Sequence, residues 1–259
     1  MLRHTGHICL LALLLITAGS CREKVFEHRE PCLASVVIVS IDTEQSTVKE
    51  DYYHVLSYVG GVLANDVVTP PYTLRKGVQF EMEKGSDVTF LVIGSWPTDG
   101  PWWNEDGFVV PDGSACPTVY GGSYSFTVSK ESYQKVRVDI KRLYTPVRFD
   151  FPGGRPSDGV GVYCSAHGLT RPGLDVLEME EASYSCTAGN DGCATLPLLN
   201  EGTRVGVRYG EDDVDISTIL RDNGYDYAKC PEIKASLKGK DGRILELILG
   251  FENKSIRII

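Results

Sequence analysis

The sequence contains no run of basic residues, and this absence limits the classes of partner that the protein can bind. Asp and Glu together number 35 against 26 Lys and Arg, which gives a formal net charge of −9 at pH 7. Nucleic acids are bound first through their phosphates, and phosphate binding requires a cluster of positive charge. We therefore expect no nucleic-acid partner, and we interpret the acidity as that of a solvated surface.

Motifs of catalytic chemistry are also missing. His28, His54 and His167 have no second histidine one helical turn away. The glycine spacings of phosphate-binding loops and dinucleotide-binding folds do not occur, and no serine stands in the glycine-flanked turn that hydrolases use. We predict that the protein is not an enzyme and that it binds no cofactor and no metal ion.

The one long apolar run lies at the start of the chain. Residues 10–21 read LLALLLITAGSC and follow a basic residue, Arg3. The run is too short for a permanent membrane span, which is typical of an export signal. The small residues directly before Cys21 resemble the lipobox of bacterial lipoproteins, which implies that residues 1–20 are removed, that Cys21 carries lipid and that residues 21–31 form a tether. The alternative is an ordinary signal peptide that is cut elsewhere.

An even number of cysteines remains once Cys9 and Cys21 are set aside, and in an exported chain this favours disulfide bonds. The turn sequence Gly-Asn-Asp-Gly lies between Cys186 and Cys193, so we predict this pair first, across a hairpin. Zinc is the rival interpretation, and the spacing disfavours it because zinc sites usually have cysteines two to four residues apart. The six cysteines and their predicted pairs are Cys186 with Cys193, Cys32 with Cys116, and Cys164 with Cys230.

The body of the chain predicts an all-β protein. Residues 34–41 (ASVVIVSI) are rich in Val and Ile at a length that suits a buried strand. Residues 51–59 fit both a helical face and a strand, and this segment stays open. Residues 78–83 alternate apolar and polar side chains, residues 88–93 are apolar, and the Gly-Ser turn between them predicts a hairpin.

The same alternation continues to the end of the chain and predicts two consecutive β-sandwich domains. Residues 136–142 and 147–151 alternate on either side of Pro146, which an interior strand accommodates poorly. We therefore predict one domain at residues 32–142 and a second at 143–259, with a short helix capped by Asp213 at 214–222. The other strands predicted for the second domain are residues 160–165, 174–178, 184–186, 193–197, 204–209, 233–237, 244–251 and 254–259.

All three tryptophans lie in one loop, residues 95–111, which is rich in Pro, Gly and Asp. If Trp96, Trp102 and Trp103 are exposed, they form a platform on which sugar rings can stack. If they are buried, they cover the end of a sandwich core. The sequence leaves both interpretations open.

The carboxyl-terminal residues are extended and largely apolar. They are Ser255, Ile256, Arg257, Ile258 and Ile259. A terminal strand at a sheet edge can pair its free backbone groups with another polypeptide. These five residues are therefore our candidates for strand exchange with a partner.

The lipobox, the short tether, the Val/Ile strand and the paired stretches in VRVDIKRLYTPVRFDF together resemble the fimbrillin-type pilus proteins of Bacteroidales, in particular their lipidated anchor and accessory subunits. The resemblance implies two transthyretin-like sandwich domains with Lys141 and Arg142 at their junction. It further implies a surface lipoprotein, held in the outer membrane by lipid, that anchors or supports a fimbria and joins fimbrillin-like subunits by β-strand exchange. The rival hypothesis, motivated by the tryptophan loop, is a glycan-binding surface lipoprotein of a polysaccharide-uptake system.

Overall fold

The structure is a computed structural model, and it describes residues 34–41, 50–97, 102–105, 107–111, 113–157, 159–178 and 184–259. The predicted signal and tether, Cys21 and Cys32 lie outside these residues. The described chain consists of β-strands and two short helices, which confirms the predicted all-β class.

The amino-terminal strands that the structure describes form one sandwich. Its strands, together with one from the intervening loop, are β1 (Ala34–Ile41), β2 (Tyr53–Val59), β3 (Val62–Thr69), β4 (Val78–Glu83), β5 (Asp87–Gly94), β6 (Gly107–Val109), β7 (Tyr120–Thr127), β8 (Tyr133–Val138) and β9 (Lys141–Arg142), and helix α1 (Pro71–Lys76) precedes β4. A three-stranded sheet in the order β4-β1-β8 faces a five-stranded sheet in the order β3-β2-β5-β7-β9.

Strand β2 resolves the segment that the sequence left open. Tyr53 and Val55 point into the core between the two sheets, whereas Leu56 and Tyr58 on the other face join a second core that continues into the rest of the chain. Because both faces are apolar and buried, the segment lacks the alternation of a half-buried strand. This is why residues 51–59 also matched a helical face.

The hairpin predicted for residues 78–93 is wrong. Strand β4 pairs with β1, whereas β5 pairs with β2 and β7. The two consecutive strands therefore lie in facing sheets, and the turn between them crosses the edge of the sandwich. Gly85 provides the left-handed backbone of that turn with a φ of +84°.

The carboxyl-terminal strands that the structure describes form a second sandwich. Its elements are β10 (Tyr144–Asp150), β11 (Val160–Cys164), β12 (Ala166–Thr170), β13 (Val176–Glu178), β14 (Tyr184–Thr187), β15 (Cys193–Pro197), β16 (Val205–Tyr209), β17 (Asp212–Asp215), α2 (Ser217–Asp222), β18 (Ile233–Lys240), β19 (Arg243–Phe251) and β20 (Lys254–Arg257). A five-stranded sheet in the order β15-β10-β18-β19-β20 faces a four-stranded sheet in the order β14-β11-β16-β17. Their inner faces form one continuous apolar core.

Two local predictions differ from the structure. Pro146 lies inside β10, opposite Thr195 of β15, and it is tolerated because the pairing of β10 with β18 begins only at Val147. The predicted helix starts at Ser217, since the residues before it form β17. Asp213 therefore does not cap the helix, and its carboxylate binds Arg208 instead.

A fifth sheet, in the order β13-β12-β6, joins the two sandwiches. Val109 of β6 lies opposite Gly168 of β12, and Gly107 lies opposite Thr170. A Cβ atom on Gly168 would lie 1.9 Å from the Phe108 carbonyl oxygen, and one on Gly107 would lie 2.0 Å from the Leu169 carbonyl oxygen. Glycine at both positions is therefore what allows a loop of one sandwich to pair with a strand of the other.

Candidate functional site

The residues predicted for strand exchange form an edge of the carboxyl-terminal sandwich. Ile256 lies opposite Leu249 of β19, and Ser255 lies opposite Gly250. Beyond β20, the Ile258 N–H donates to the Leu247 carbonyl at 2.8 Å. On its other side, β20 has no neighbouring strand in the described chain. The segment therefore pairs with its own domain along one side and leaves the other side free.

The side chains of this segment alternate between core and solvent. Ile256 and Ile258 are half-buried against the core, whereas Ser255 and Ile259 are exposed. The exposed Arg257 forms an ion pair with Glu246 of β19, with 3.2 Å between Nη2 and Oε1. An edge strand with free main-chain groups and alternate apolar side chains has the features that recognition by strand addition requires.

Strand β3 is also an edge strand, at one end of the five-stranded sheet of the amino-terminal sandwich. No sequence pattern predicted it. Val62, Leu63 and Val68 are 71%, 41% and 58% exposed, so both faces of the strand meet solvent and alternation is absent. Its acidic residue, Asp66, pairs with His54 of β2 at 3.0 Å. The Gly-Gly pair before β3 was the available signal, because such dipeptides favour two-residue hairpin turns.

The tryptophan loop covers a core in this structure. Trp96 is only 2% exposed, and its indole N–H donates to the Trp102 carbonyl at 3.3 Å. Trp102 and Trp103 are half-buried against the same core, and the guanidinium of Arg171 lies over the Trp103 ring. The loop therefore does not present three free ring faces to a sugar.

The five described cysteines are free thiols in this structure, so Cys186 is not joined to Cys193 and Cys164 is not joined to Cys230, while the predicted pair of Cys32 with Cys116 reaches outside the described residues. Cys186 lies on β14 and Cys193 on β15, and these strands belong to different sheets rather than to one hairpin. The Cys164 thiol donates to the Ala166 carbonyl at 3.5 Å, and the Cys230 thiol donates to the Tyr227 carbonyl at 3.0 Å.

Three of these thiols lie around one tyrosine. Cys164 is opposite Tyr184 across the β11–β14 ladder, and Cys186 follows two residues later on the same face. The Cys116 N–H donates to the Tyr184 hydroxyl at 2.9 Å. Burial raises the pKa of the Cys164 thiol to about 12, and it also raises the pKa of Cys116 and of Cys186. These side chains are therefore neutral packing groups at physiological pH rather than nucleophiles.

No three His, Cys, Asp or Glu side chains within the described chain are arranged to hold a metal ion. None of its helices is long and apolar enough to cross a membrane. The candidate site consists of the edge strands β20 and β3.

Comparison with known proteins gives structural matches alone. No protein-family model matches the chain, and no curated protein matches it in sequence. The fimbrial anchor protein Mfa2 from Porphyromonas gingivalis has a TM-score of 0.62 and 11% identity, over 86% of this chain and 99% of that one.

Two proteins from Bacteroides thetaiotaomicron are also similar. A candidate polysaccharide-binding protein has a TM-score of 0.58 and 12% identity, over 87% of this chain and 98% of its own. A candidate adhesin has a TM-score of 0.54 and 13% identity, over 90% and 100%. The chain therefore has the fold of fimbrial anchor and adhesin-like proteins of Bacteroidales, as the resemblance in its sequence predicts.

Proposed function

We propose that the protein is a cell-surface lipoprotein that serves as a structural anchor or accessory subunit of a fimbria. The fold that it shares with a fimbrial anchor protein supports a fimbrial or adhesive role. Its partners are fimbrillin-like pilus subunits, and its position is at the outer membrane. The single observation that carries the assembly role is β20, an edge strand that has no neighbour on one side in the described chain and that continues into a segment with two half-buried isoleucines, Ile256 and Ile258.

The membrane attachment rests on Cys21, which follows the small residues of the signal. Acyl chains on one residue provide about 0.8 kcal/mol for each methylene that enters the bilayer. Residues 21–31 then separate the sandwich from the membrane. Radiolabelled palmitate should enter the protein, and Cys21→Ala should abolish both the labelling and the membrane fractionation. Unchanged fractionation of this variant would remove the anchor from the proposal.

The assembly role requires that residues 255–259 take part in strand exchange. We expect a chain without these residues to capture less of a fimbrillin-type subunit in a pull-down, because the edge strand and its two half-buried isoleucines are lost. Leu245→Asp is the matched control, since Leu245 is 52% exposed on the same sheet and lies outside the segment. Circular dichroism should verify that both variants remain folded. Capture at the wild-type level by the shortened chain contradicts strand exchange.

We do not propose a glycan platform on the tryptophan loop. A glycan platform needs exposed ring faces, whereas Trp96 is buried and Trp103 is covered by Arg171.

A further inference from the structure

A cleft of about 650 Å³ opens on the four-stranded sheet of the carboxyl-terminal sandwich. This volume is within the usual range for small-molecule sites, about 300–1,000 Å³. Its lining includes residues of β11, β14 and β16 and the segment 113–115. The proposed fimbrial role uses neither these residues nor this face.

The strand register arranges the outward-pointing side chains of this sheet in two rows. One row runs Thr187, Gly161, Arg208, Asp213 across β14, β11, β16 and β17, and the adjacent row runs Ser185, Tyr163, Gly206, Asp215. Each row has one gap where a glycine replaces a side chain. The gap at Gly161 lies between Thr187 and Arg208, so the backbone of β11 forms the floor of the cleft there.

Gly161 has no structural requirement for glycine. Its φ is not in the left-handed region, and an added Cβ would meet its nearest atoms at 3.7 Å and 3.9 Å, which is ordinary contact. Gly206 differs, because its Cβ would lie 2.2 Å from the Tyr163 ring. Glycine inside a strand weakens it and often marks a place where a ligand approaches the backbone. We therefore infer that glycine at residue 161 keeps the space above the β11 backbone open for a ligand.

The polar groups beside this gap are held in place by one carboxylate. Asp213 accepts a hydrogen bond from the Tyr163 hydroxyl at 2.6 Å and one from Arg208 Nη2 at 2.9 Å. Partial burial opposes ionisation of Asp213, but these two donors outweigh it and lower the pKa of the carboxyl group. The charge of Arg208 is thus balanced by an ionised partner, and the cleft presents hydroxyl groups, a phenol ring and a compensated guanidinium.

We propose that this cleft binds a neutral saccharide, with a sugar ring against the Gly161 backbone, its hydroxyls meeting Thr187, Ser185 and Arg208, and its apolar edge beside Tyr163. Hydroxyl-bearing side chains and a guanidinium match the donors and acceptors of a sugar, and the shallow glycine floor admits a ring without displacing a side chain. The balanced charge of Arg208 selects against anionic sugars, because an added anion faces Asp213 as well.

The test is a titration of the ¹⁵N-labelled chain, observed by NMR, with maltotetraose, mannotetraose and tetragalacturonate, each up to about 10 mM, where weak sites are still detected. We expect a neutral tetrasaccharide to shift the amide signals of Gly161, Tyr163, Thr187 and Arg208. Gly161→Val should weaken this binding at least roughly tenfold, because the valine side chain fills the gap. Gly250→Val is the matched control, since Gly250 is an outward strand glycine on the opposite sheet with room for a Cβ at 3.4 Å.

Thermal unfolding of both variants verifies that they fold, and Thr187→Val provides a second change that removes only a hydroxyl at constant shape. Absence of shifts with both neutral sugars, binding of tetragalacturonate alone, or binding that survives Gly161→Val would each overturn the proposal. Capture of a fimbrillin-type subunit by Gly161→Val should equal that of the wild type, so the two proposals fail independently.

Discussion

The guanidinium carbon of Arg171 lies 4.3 Å from the centroid of the Trp103 ring. Trp103 belongs to the loop before β6, and Arg171 directly follows β12, so this contact joins the two sandwiches. Arg171 also donates a hydrogen bond to the Asn104 carbonyl, and Ser123 of β7 donates to the Gly173 carbonyl at 3.1 Å. The β12–β13 hairpin is thereby held against the amino-terminal sandwich by an aromatic contact and by polar contacts.

We expect Arg171→Ala to lower the free energy of unfolding by about 1 kcal/mol, because it removes a partly desolvated cation–π contact. Urea denaturation followed by tryptophan fluorescence measures this change. Arg221→Ala is the control, since its ion pair with Asp222 is solvent-exposed and such pairs contribute little. Equal effects of the two substitutions would show that the Arg171 contact adds nothing to stability.

Gly168→Ala should destabilise the protein by about 3 kcal/mol, because its Cβ meets the backbone of β6 and no side-chain rotation relieves the overlap. Gly161→Ala, also in a strand, should leave stability unchanged or raise it by about 0.5–1 kcal/mol. Chemical denaturation of the two variants gives the comparison. If Gly168→Ala were as stable as Gly161→Ala, the close approach of β6 and β12 would be disproved.

Alkylation by iodoacetamide should distinguish the five described cysteines in the native protein. Cys193 is half-exposed, whereas Cys116 and Cys164 are buried with raised pKa values, and only the thiolate reacts. Peptide mass spectrometry should find Cys193 modified first and Cys164 modified only after denaturation. Early modification of Cys164 in the folded state would contradict its burial.

Stability should fall as the pH rises above about 9. Burial raises the pKa of the Cys164 thiol from its ordinary value of 9.0 to about 12, so between these values the native state binds more protons than the unfolded state, and raising the pH favours unfolding. Cys164→Ala should make the loss of stability between pH 9 and pH 11 shallower, whatever its effect at neutral pH. Urea midpoints across this range test the slope, and an unchanged slope would exclude a contribution from this thiol.

Strands with one buried face could be predicted from the sequence, because alternation records which side meets the core. Residues 78–83 are an example, and they form β4. Strand β3 was missed because neither of its faces is covered by other elements, so its sequence does not alternate between apolar and polar residues. Strand β6 was missed because the glycine that its close pairing needs resembles a loop residue.

Pairing of strands was harder to predict than their existence. Local turn signals joined residues 78–83 to 88–93 and Cys186 to Cys193, yet in both cases the connection leads from one sheet to the facing sheet. A turn within a hairpin and a turn between sheets use the same residues, and the difference depends on distant strands such as β1 and β10. For the same reason, the cleft at Gly161 could not be found from the sequence, because three strands and a loop segment from separate parts of the chain form it.

The pairing of β6 with β12 also constrains how the chain can mature. The Val110 N–H donates to the His167 carbonyl at 2.8 Å, so the ladder between β6 and β12 cannot form until residues 166–170 have been synthesised. During synthesis, the amino-terminal sandwich therefore lacks this ladder, and its tryptophan cluster lacks the cover of Arg171, while about another 60 residues of chain emerge, at roughly 5–20 residues per second. The first half of the chain is completed only after the first strands of the second half have left the ribosome.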